Sequence, residues 1–213
     1  MERPLDTKTV LLDTAGELFA ALGFEGASVR AIAERAGTNI AAVNYHFGTK
    51  DNLYAEVLRR AALAIRGAGI EQFLEPPDRI ATPAGAARVI REIVHARFAS
   101  YFSNDYPAWY RRLLMRSLIE SSAVWQDLVR AVFAREHELL SRVVQAANPA
   151  LTEAQVALFA FTLTGQIVVF GFAETPILMI LGKEAYDDAF LEAAADHVSA
   201  SVLAALGLAG ALR

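Results

Sequence analysis

The sequence has no cysteine among its 213 residues. Disulfide bonds, thiolate catalysis and zinc sites built on cysteine are therefore excluded, and the composition agrees with a reducing compartment. The first ten residues also lack an apolar run ahead of their charges, so they do not have the pattern of a secretory signal. We expect a cytoplasmic protein.

A block of basic residues, a common mark of nucleic-acid binding, is missing as well. The formal net charge is −4, and the first sixty residues carry seven Lys or Arg against eight Asp or Glu. Any contact with DNA must therefore depend on the geometry of a motif, with few phosphate contacts for each subunit. Because two modest footprints can act together, a DNA-binding interpretation favours a dimer.

Catalytic motifs are absent too. The sequence has no G-x-S-x-G elbow and no glycine-rich phosphate loop after a predicted strand. The segment Glu136-His137-Glu138 lacks the second histidine of a zinc protease helix, and His46, His95 and His197 are predicted to lie on other helices. We expect no enzyme, no metal site and no cofactor.

One long and nearly uncharged stretch, residues 156–181, meets the length criterion for a membrane span. Polar or small residues such as Thr162, Gly165 and Gln166 interrupt it, and Glu174-Thr175-Pro176 breaks it. A helix that is apolar on all sides can equally be buried in a soluble core or interface. We favour the second interpretation, with the membrane span as the alternative.

Apolar residues recur at helical spacing along almost the whole chain, which predicts an all-α fold. Gly23 and Gly37 are expected to end the first two helices, and a proline-rich loop at 75–83 is the best internal boundary. The predicted helices span about 6–22, 29–36, 40–46, 50–66, 84–102, 107–118, 122–147, 152–173 and 184–206.

Residues 28–47 have the pattern of two short helices joined by a tight turn at Ala36-Gly37-Thr38. Such a pair crosses at a steep angle, so its second helix is free to enter the major groove of DNA. Ala33 is small where the helices would cross, and Gly37 suits a turn position with positive φ. The segment is therefore typical of a helix-turn-helix.

Four motifs lie in register around this segment: Leu18-Phe19 with Gly23-Phe24, Ser28 to Ala33, Ala36 to Asn39, and Tyr45 to Lys50. Over about residues 8–58 the chain resembles the TetR family of bacterial transcriptional regulators. Its last motif departs from the usual order, reading Asn-Tyr-His-Phe, which with a tryptophan-containing second half resembles the CecR-like subgroup. The resemblance implies an N-terminal three-helix DNA-binding domain at 1–52 and a larger helical ligand-binding and dimerisation domain at 53–213.

The resemblance also implies that Asn39 to His46 form the recognition helix and that Ser28, Arg30 and Lys50 flank the DNA backbone. Ser28 and Lys50 begin helices, where free N–H groups favour a phosphate. From side-chain chemistry we predict roles for the rest: base hydrogen bonds from Thr38, Asn39 and Asn44, thymine-methyl contacts from Ile40 and Ala41, and backbone positioning by Tyr45 and His46.

Purely structural roles are the alternative for several of these residues. Ser28 and Asn39 could be N-caps alone, and Ile40, Tyr45 and Phe47 could belong to a local core.

Helices rich in aromatic residues follow in the second half with a few polar residues among them, as in pockets for small apolar or aromatic molecules. A core without a ligand has the same pattern. The predicted pocket residues are Phe98, Phe102, Trp109, Tyr110, Arg112, Glu120, Phe133, His137, Gln166 and Phe170.

The last two predicted helices carry small and apolar residues at a spacing of three to four, which suits a two-fold four-helix interface. The predicted interface residues are Ala157, Ala160, Phe161, Thr164, Gly165, Val168, Phe190, Ala194, Val198 and Ser201. The family resemblance implies the same interface, and a repressor released from a palindromic operator when a ligand shifts the helix at 50–66. A helical scaffold that has lost DNA binding remains the competing interpretation.

Overall fold

The computed structural model describes residues 6–67, 69–120 and 122–212. The regular elements of this described part are all helical, which confirms the all-α prediction. The α-helices are α1 (Thr7–Gly26), α2 (Val29–Arg35), α3 (Ile40–Phe47), α4 (Lys50–Arg66), α5 (Pro83–Tyr101), α6 (Trp109–Glu120), α7 (Ala123–Leu128), α8 (Ala134–Ala147), α9 (Glu153–Phe172), α10 (Glu174–Leu181) and α11 (Asp188–Ala205).

The first three helices begin where the capping residues of the sequence place them. Side-chain oxygens of Asp6, Ser28 and Asn39 accept hydrogen bonds from backbone N–H groups in the first turns of α1, α2 and α3. Gly23 has φ 78°, so the chain leaves the helical conformation there and α1 is kinked instead of ending. The predicted N-caps at Ser28 and Asn39 are confirmed.

The chain divides into two compact units. The N-terminal unit holds the described residues up to Ile65 together with Asn104–Ala131, and the C-terminal unit holds Arg66–Ser103 and the described residues from Val132 onward. Helices α6 and α7 thus belong with the helix-turn-helix by packing, although they lie far from it in sequence. The functional division at residues 52 and 53 stays a prediction.

A close contact between α1 and α6 explains why α6 belongs to the N-terminal unit. A Cβ on Gly16 would lie 2.2 Å from the Trp109 ring, so only glycine lets that buried indole pack on α1. The hydroxyl groups of Tyr54 and Ser117 are 3.0 Å apart in the same core, so α4 and α6 share a buried hydrogen bond. Burial in this core raises the pKa of Tyr54.

The core of the C-terminal unit lies among α5, α8, α9 and α11. Ile90, Val94, Leu139, Val143 and Leu163 are almost completely buried there. The predicted loop at 75–83 is partly ordered as a short 3-10 turn, Pro77–Ile80.

Two elements differ from the prediction. The predicted helix at 122–147 is α7 and α8 joined by a π-helical turn, Val129–Phe133. The predicted break at Glu174-Thr175-Pro176 is the first turn of α10. A proline is tolerated in a first turn because its missing N–H would have no partner within the helix.

Helix α9 is long and apolar enough to cross a membrane by length and composition, and only 22% of its most apolar window is buried inside the protein. Its buried side, with Val156, Ala160, Leu163 and Ile167, forms part of the C-terminal core. The opposite side is exposed and still apolar.

Candidate nucleic-acid interface and effector site

The turn between α2 and α3 has the geometry of a helix-turn-helix. Gly37 has φ 67°, and the N–H of Thr38 donates to the Ala33 carbonyl at 2.9 Å, which closes the turn. Ile32, Ala33, Val43 and Phe47 are buried, so one side of each helix packs inward. The other side of α3 is left at the surface.

That outer side of α3 carries the residues predicted to meet DNA. Tyr45 is 86% exposed, and Asn39, Ile40, Ala41 and Asn44 are also exposed.

Thr38 and His46 are half-buried at the edges of this side. The core alternative is therefore wrong for Tyr45 and Ile40 and correct for Phe47, which is 5% exposed.

The two capping residues keep part of their hydrogen-bonding capacity. Ser28 Oγ accepts from the Ala31 N–H at 3.1 Å, and Asn39 Oδ1 accepts from the Ala42 N–H at 3.0 Å. The Ser28 hydroxyl hydrogen and the Asn39 amide hydrogens are still donors. A capping role and a DNA-contacting role are compatible at both positions.

Two cations lie beside α3, one in contact with an acidic residue and the other with an aromatic ring. Arg30 Nε donates to Glu34 at 2.7 Å, on a fully exposed surface, and this contact raises the pKa of Arg30. Lys50 Nζ lies 4.3 Å from the centre of the Phe24 ring. These contacts orient both cations before any nucleic acid is bound.

Lys8 is a candidate contact that the sequence did not reveal. Its Nζ lies 5.6 Å from the centre of the Phe47 ring and 3.0 Å from Glu56. Folding thus brings the start of α1 beside the end of α3, across nearly forty residues of sequence. No local pattern around Lys8 carries this information.

The predicted pocket residues divide between the two units. Phe98, Phe102 and Phe170 form an aromatic cluster in the C-terminal unit, with ring centres 5.4 Å apart for Phe98 and Phe170. Phe133, His137 and Gln166 lie in the same unit and are half-buried.

The other four predicted pocket residues, Trp109, Tyr110, Arg112 and Glu120, belong to α6 in the N-terminal unit.

Two residues that the sequence analysis did not place in the pocket extend the aromatic cluster. Tyr186 lies 5.5 Å from Phe102 and stacks on Phe190 at 5.2 Å, and its hydroxyl donates to the Phe170 carbonyl at 2.9 Å. Burial raises the pKa of Tyr186, and nearby Glu174 raises it further. Phe190 therefore lies against this cluster, although it was predicted for the dimer interface.

The predicted interface residues occupy three environments. Phe161, Thr164, Gly165 and Ser201 are exposed, and Ala157, Val168 and Phe190 are half-buried. Ala160, Ala194 and Val198 are buried in the core of their own unit, because α9 and α11 use these residues to pack on their neighbours. These three are core residues and no longer candidates for the interface.

Metal ligation finds no support in the described part of the chain, where no group of three or more His, Cys, Asp or Glu could hold an ion.

The chain matches two family models. One, for bacterial regulatory proteins of the tetR family, covers residues 11–57, and the other, for the C-terminal domain of the HTH-type transcriptional dual regulator CecR, covers residues 86–206. The second spans more than half of the chain.

Curated relatives agree with these matches. The HTH-type transcriptional dual regulator CecR of Shigella flexneri is 26% identical over 76% of this chain and 74% of its own length. The HTH-type transcriptional repressor AcnR of Corynebacterium glutamicum is 33% identical over 37% of this chain and 46% of its own length.

Solved structures share the fold. PfmR of Thermus thermophilus, a TetR family transcriptional regulator, is 22% identical with a TM-score of 0.65, covering 91% of this chain and 97% of its own. AibR, solved with isovaleryl coenzyme A and operator DNA, is 14% identical with a TM-score of 0.68, covering 92% and 97%. The expectation that the chain is not an enzyme is confirmed by its family, and the protein belongs to the TetR family of DNA-binding transcriptional regulators, with a C-terminal domain of the CecR type.

Proposed function

We propose that the protein is a cytoplasmic repressor that binds a palindromic operator as a homodimer and is released by a small apolar or aromatic ligand. The observation that carries this proposal is the outer side of α3, where Asn44 and the 86% exposed Tyr45 project from a helix whose other side is buried. Amide groups suit the base edges of the major groove, and a tyrosine hydroxyl suits a phosphate.

The direct test recovers genomic DNA bound by the purified protein and repeats the selection in gel shifts on single fragments. We expect a two-fold symmetric sequence, with the region upstream of the protein's own gene as the first fragment to try. Reporter expression that falls when the protein is present would support repression. Absence of any shift at low salt would favour the competing scaffold interpretation.

Homodimer formation is supported by the exposed side of α9. Apart from the neighbouring residues and backbone of its own helix, no described atom lies within 4 Å of a Cβ built on Gly165, so the subunit's own packing does not require a glycine there. Glycine inside a helix costs about 1 kcal/mol relative to alanine. Close approach of a second helix would explain why glycine is present despite that cost. The exposed residues Phe161 and Ser201 would lie at the same contact.

Ligand binding is supported by the aromatic cluster around Phe98, Phe102 and Phe170. AibR was solved in complex with isovaleryl coenzyme A. Short acyl thioesters are therefore a reasonable first class of probe for this protein. We expect one member of a panel of acyl thioesters and aromatic acids to dissociate the operator complex. Panel members that bind the protein without any effect on the operator complex would contradict the proposed release.

The end of α4 offers a route from ligand to DNA. Arg66, its last residue, donates to Glu136 at 2.6 Å and to Glu71 at 2.8 Å, and Arg97 donates to both Glu136 and the Arg66 carbonyl. A ligand that favours a different arrangement of α5 and α8 would therefore pull on α4, which starts at Lys50 beside the candidate DNA surface. The shift is limited by the ligand's differential affinity for the two states.

A further inference from the structure

Helix α10 is poorly held by its own subunit. Within α10, all of which the structure describes, Leu178 is the one buried residue. The helix has 8 residues, whereas isolated helices shorter than about 12 residues are marginal in water. Its last turn exposes Met179 at 76%, Ile180 at 85% and, in part, Leu181. Such a helix needs a second surface to pack on.

The exposed side of α9 leads directly to this helix. Leu158, Phe161, Val169 and Phe172 are exposed and lie three to four residues apart, or multiples of that spacing, along one side of α9. Ala173 ends α9 and also precedes α10 as its N-cap. His137 stacks on Phe161 with ring centres 4.1 Å apart, so at least one of these apolar rings is held in place.

The area of this surface matches what a dimer needs. Taking about 200 Å² for each fully exposed large side chain, the four residues of α9 expose roughly 450 Å² and the three of α10 a further 400 Å². A stable protein interface buries about 800 Å² on each partner, and an exposed patch of this size on a monomer is unusual. The α9 residues alone reach little more than half of that area.

We infer that α10 packs against a second copy of this chain, and that the homodimer depends on this contact in addition to α9 and α11. The inference rests on the homodimer proposed above and adds a contact that the family resemblance did not supply. The acidic flank of α10 argues against a membrane surface as the occupant. Residues 183–188 carry one Lys against one Glu and two Asp, whereas helices that lie on membranes present Lys and Arg around their apolar side.

The test uses the absence of cysteine, which makes a single introduced thiol a clean probe. Ile180→Cys places the thiol on α10, and Ile119→Cys, at a position 73% exposed on α6, is the matched control. We expect maleimide to label the thiol at 180 about tenfold more slowly than the thiol at 119, because an interface excludes solvent. Adding Gly165→Arg to each variant should bring the two rates together.

Each possible outcome is informative. Slow labelling of a Gly165→Arg monomer would place the protection inside the subunit and overturn the inference. Fast labelling in a chain that light scattering shows to be dimeric would also overturn it while leaving the homodimer intact. A wild-type chain that is monomeric at every concentration would instead overturn the proposed homodimer.

Two further variants test the energetic role of the contact and its alternatives. Met179→Glu with Ile180→Glu should raise the dimer dissociation constant by at least about tenfold, whereas Ile119→Glu should leave it unchanged. Circular dichroism checks that both variants stay helical. Flotation of the wild type with vesicles of phosphatidylglycerol and phosphatidylethanolamine, abolished by the double variant, would assign the surface to a membrane and overturn the inference.

Discussion

At the scale of single residues, the candidate DNA surface depends on which side chains of α3 remain outside the core. Val43 and Phe47 pack into the core and hold α3 in place. Because of the helical repeat, Asn44 and Tyr45 then lie on the exposed side. Lys8 and Lys50 lie next to the aromatic rings of Phe47 and Phe24, which holds a positive charge near the surface.

Tyr45→Ala combined with Lys50→Ala should abolish the operator gel shift, because each subunit loses an exposed hydroxyl and a cation at the start of α4. The far-ultraviolet helical signal and the dimer mass should not change, since Tyr45 is exposed and Lys50 only half-buried. The control is Ile119→Ala with Arg135→Ala, which removes an exposed apolar residue and a cation elsewhere. If the variant with Tyr45→Ala and Lys50→Ala still bound the operator, α3 would not be the helix that contacts DNA.

Asp13 supplies a prediction about pH. Its Oδ1 is buried without a hydrogen bond although Arg60 lies 3.1 Å away, and burial raises the pKa of this carboxyl despite the opposing effect of Arg60. A raised folded-state pKa favours the protonated form, so stability is lost as pH rises from the usual aspartate value of 3.8 through the folded value.

Asp13→Asn should therefore be more stable than the wild type in urea unfolding at neutral pH. The gain in stability should disappear at a pH below the usual aspartate pKa, where the wild-type carboxyl is as neutral as the amide of the variant. Asp127→Asn, on the surface, serves as the control. A variant less stable than the wild type at neutral pH would show that the ion pair with Arg60 outweighs burial.

At the scale of elements, two glutamates of α8 offer a matched comparison. Glu136→Gln leaves the largely buried Arg66 and Arg97 without their shared carboxylate, and should lower the free energy of unfolding by about 2–4 kcal/mol. Glu138→Gln removes an exposed ion pair with Arg135 and should change the free energy of unfolding by less than about 1 kcal/mol. Equal effects in urea titrations would show that Glu136 does not fix the end of α4.

Gly165→Arg tests the interface of α9. The open space around Gly165 means that the arginine does not disturb the subunit, whereas a partner helix in close contact would clash with it and bury its charge. We expect a helical monomer by light scattering. Gly165→Ala is the mild control, because its small side chain should keep most of the protein dimeric. If the Gly165→Arg variant stayed dimeric, the interface would not include this part of α9.

The elements also show what could be predicted from sequence. Capping residues and periodicity identified α1 to α4, and α4 ends at Arg66 as predicted. The sequence does not predict α10, because Pro176 is typical of a helix break, although proline also fits the first turn of a helix. Burial of Ala160, Ala194 and Val198 could not be foreseen, because small residues at helical spacing suit a subunit core and an interface equally.

At the scale of the whole molecule, tertiary neighbours far apart in sequence limited the prediction. Nothing in the local sequence indicates that Trp109 of α6 packs on Gly16 of α1, or that Tyr186 joins the ring of Phe102. The helix-turn-helix was predictable because its chemistry is local, whereas the aromatic cluster is assembled from three distant segments.

The acidic balance of the chain predicts a modest dependence of operator binding on salt. With Lys8, Arg30 and Lys50 as phosphate contacts in each subunit, the slope of log K against log salt should be about −5 for a dimer. Lys50→Ala should reduce its magnitude by about 2, one contact for each subunit, while Arg135→Ala should leave it unchanged. Fluorescence anisotropy across a salt series provides the slopes, and an unchanged slope for Lys50→Ala would exclude a phosphate contact at that residue.

The central claim is that two copies of α3 enter the major groove of one operator. Methylation protection on the selected operator tests it, because dimethyl sulfate reacts with guanine N7 in that groove. We predict two protected clusters about 34–36 Å apart on one side of the duplex, both lost with Tyr45→Ala and Lys50→Ala. A bound complex in which every guanine N7 remains reactive would contradict the account.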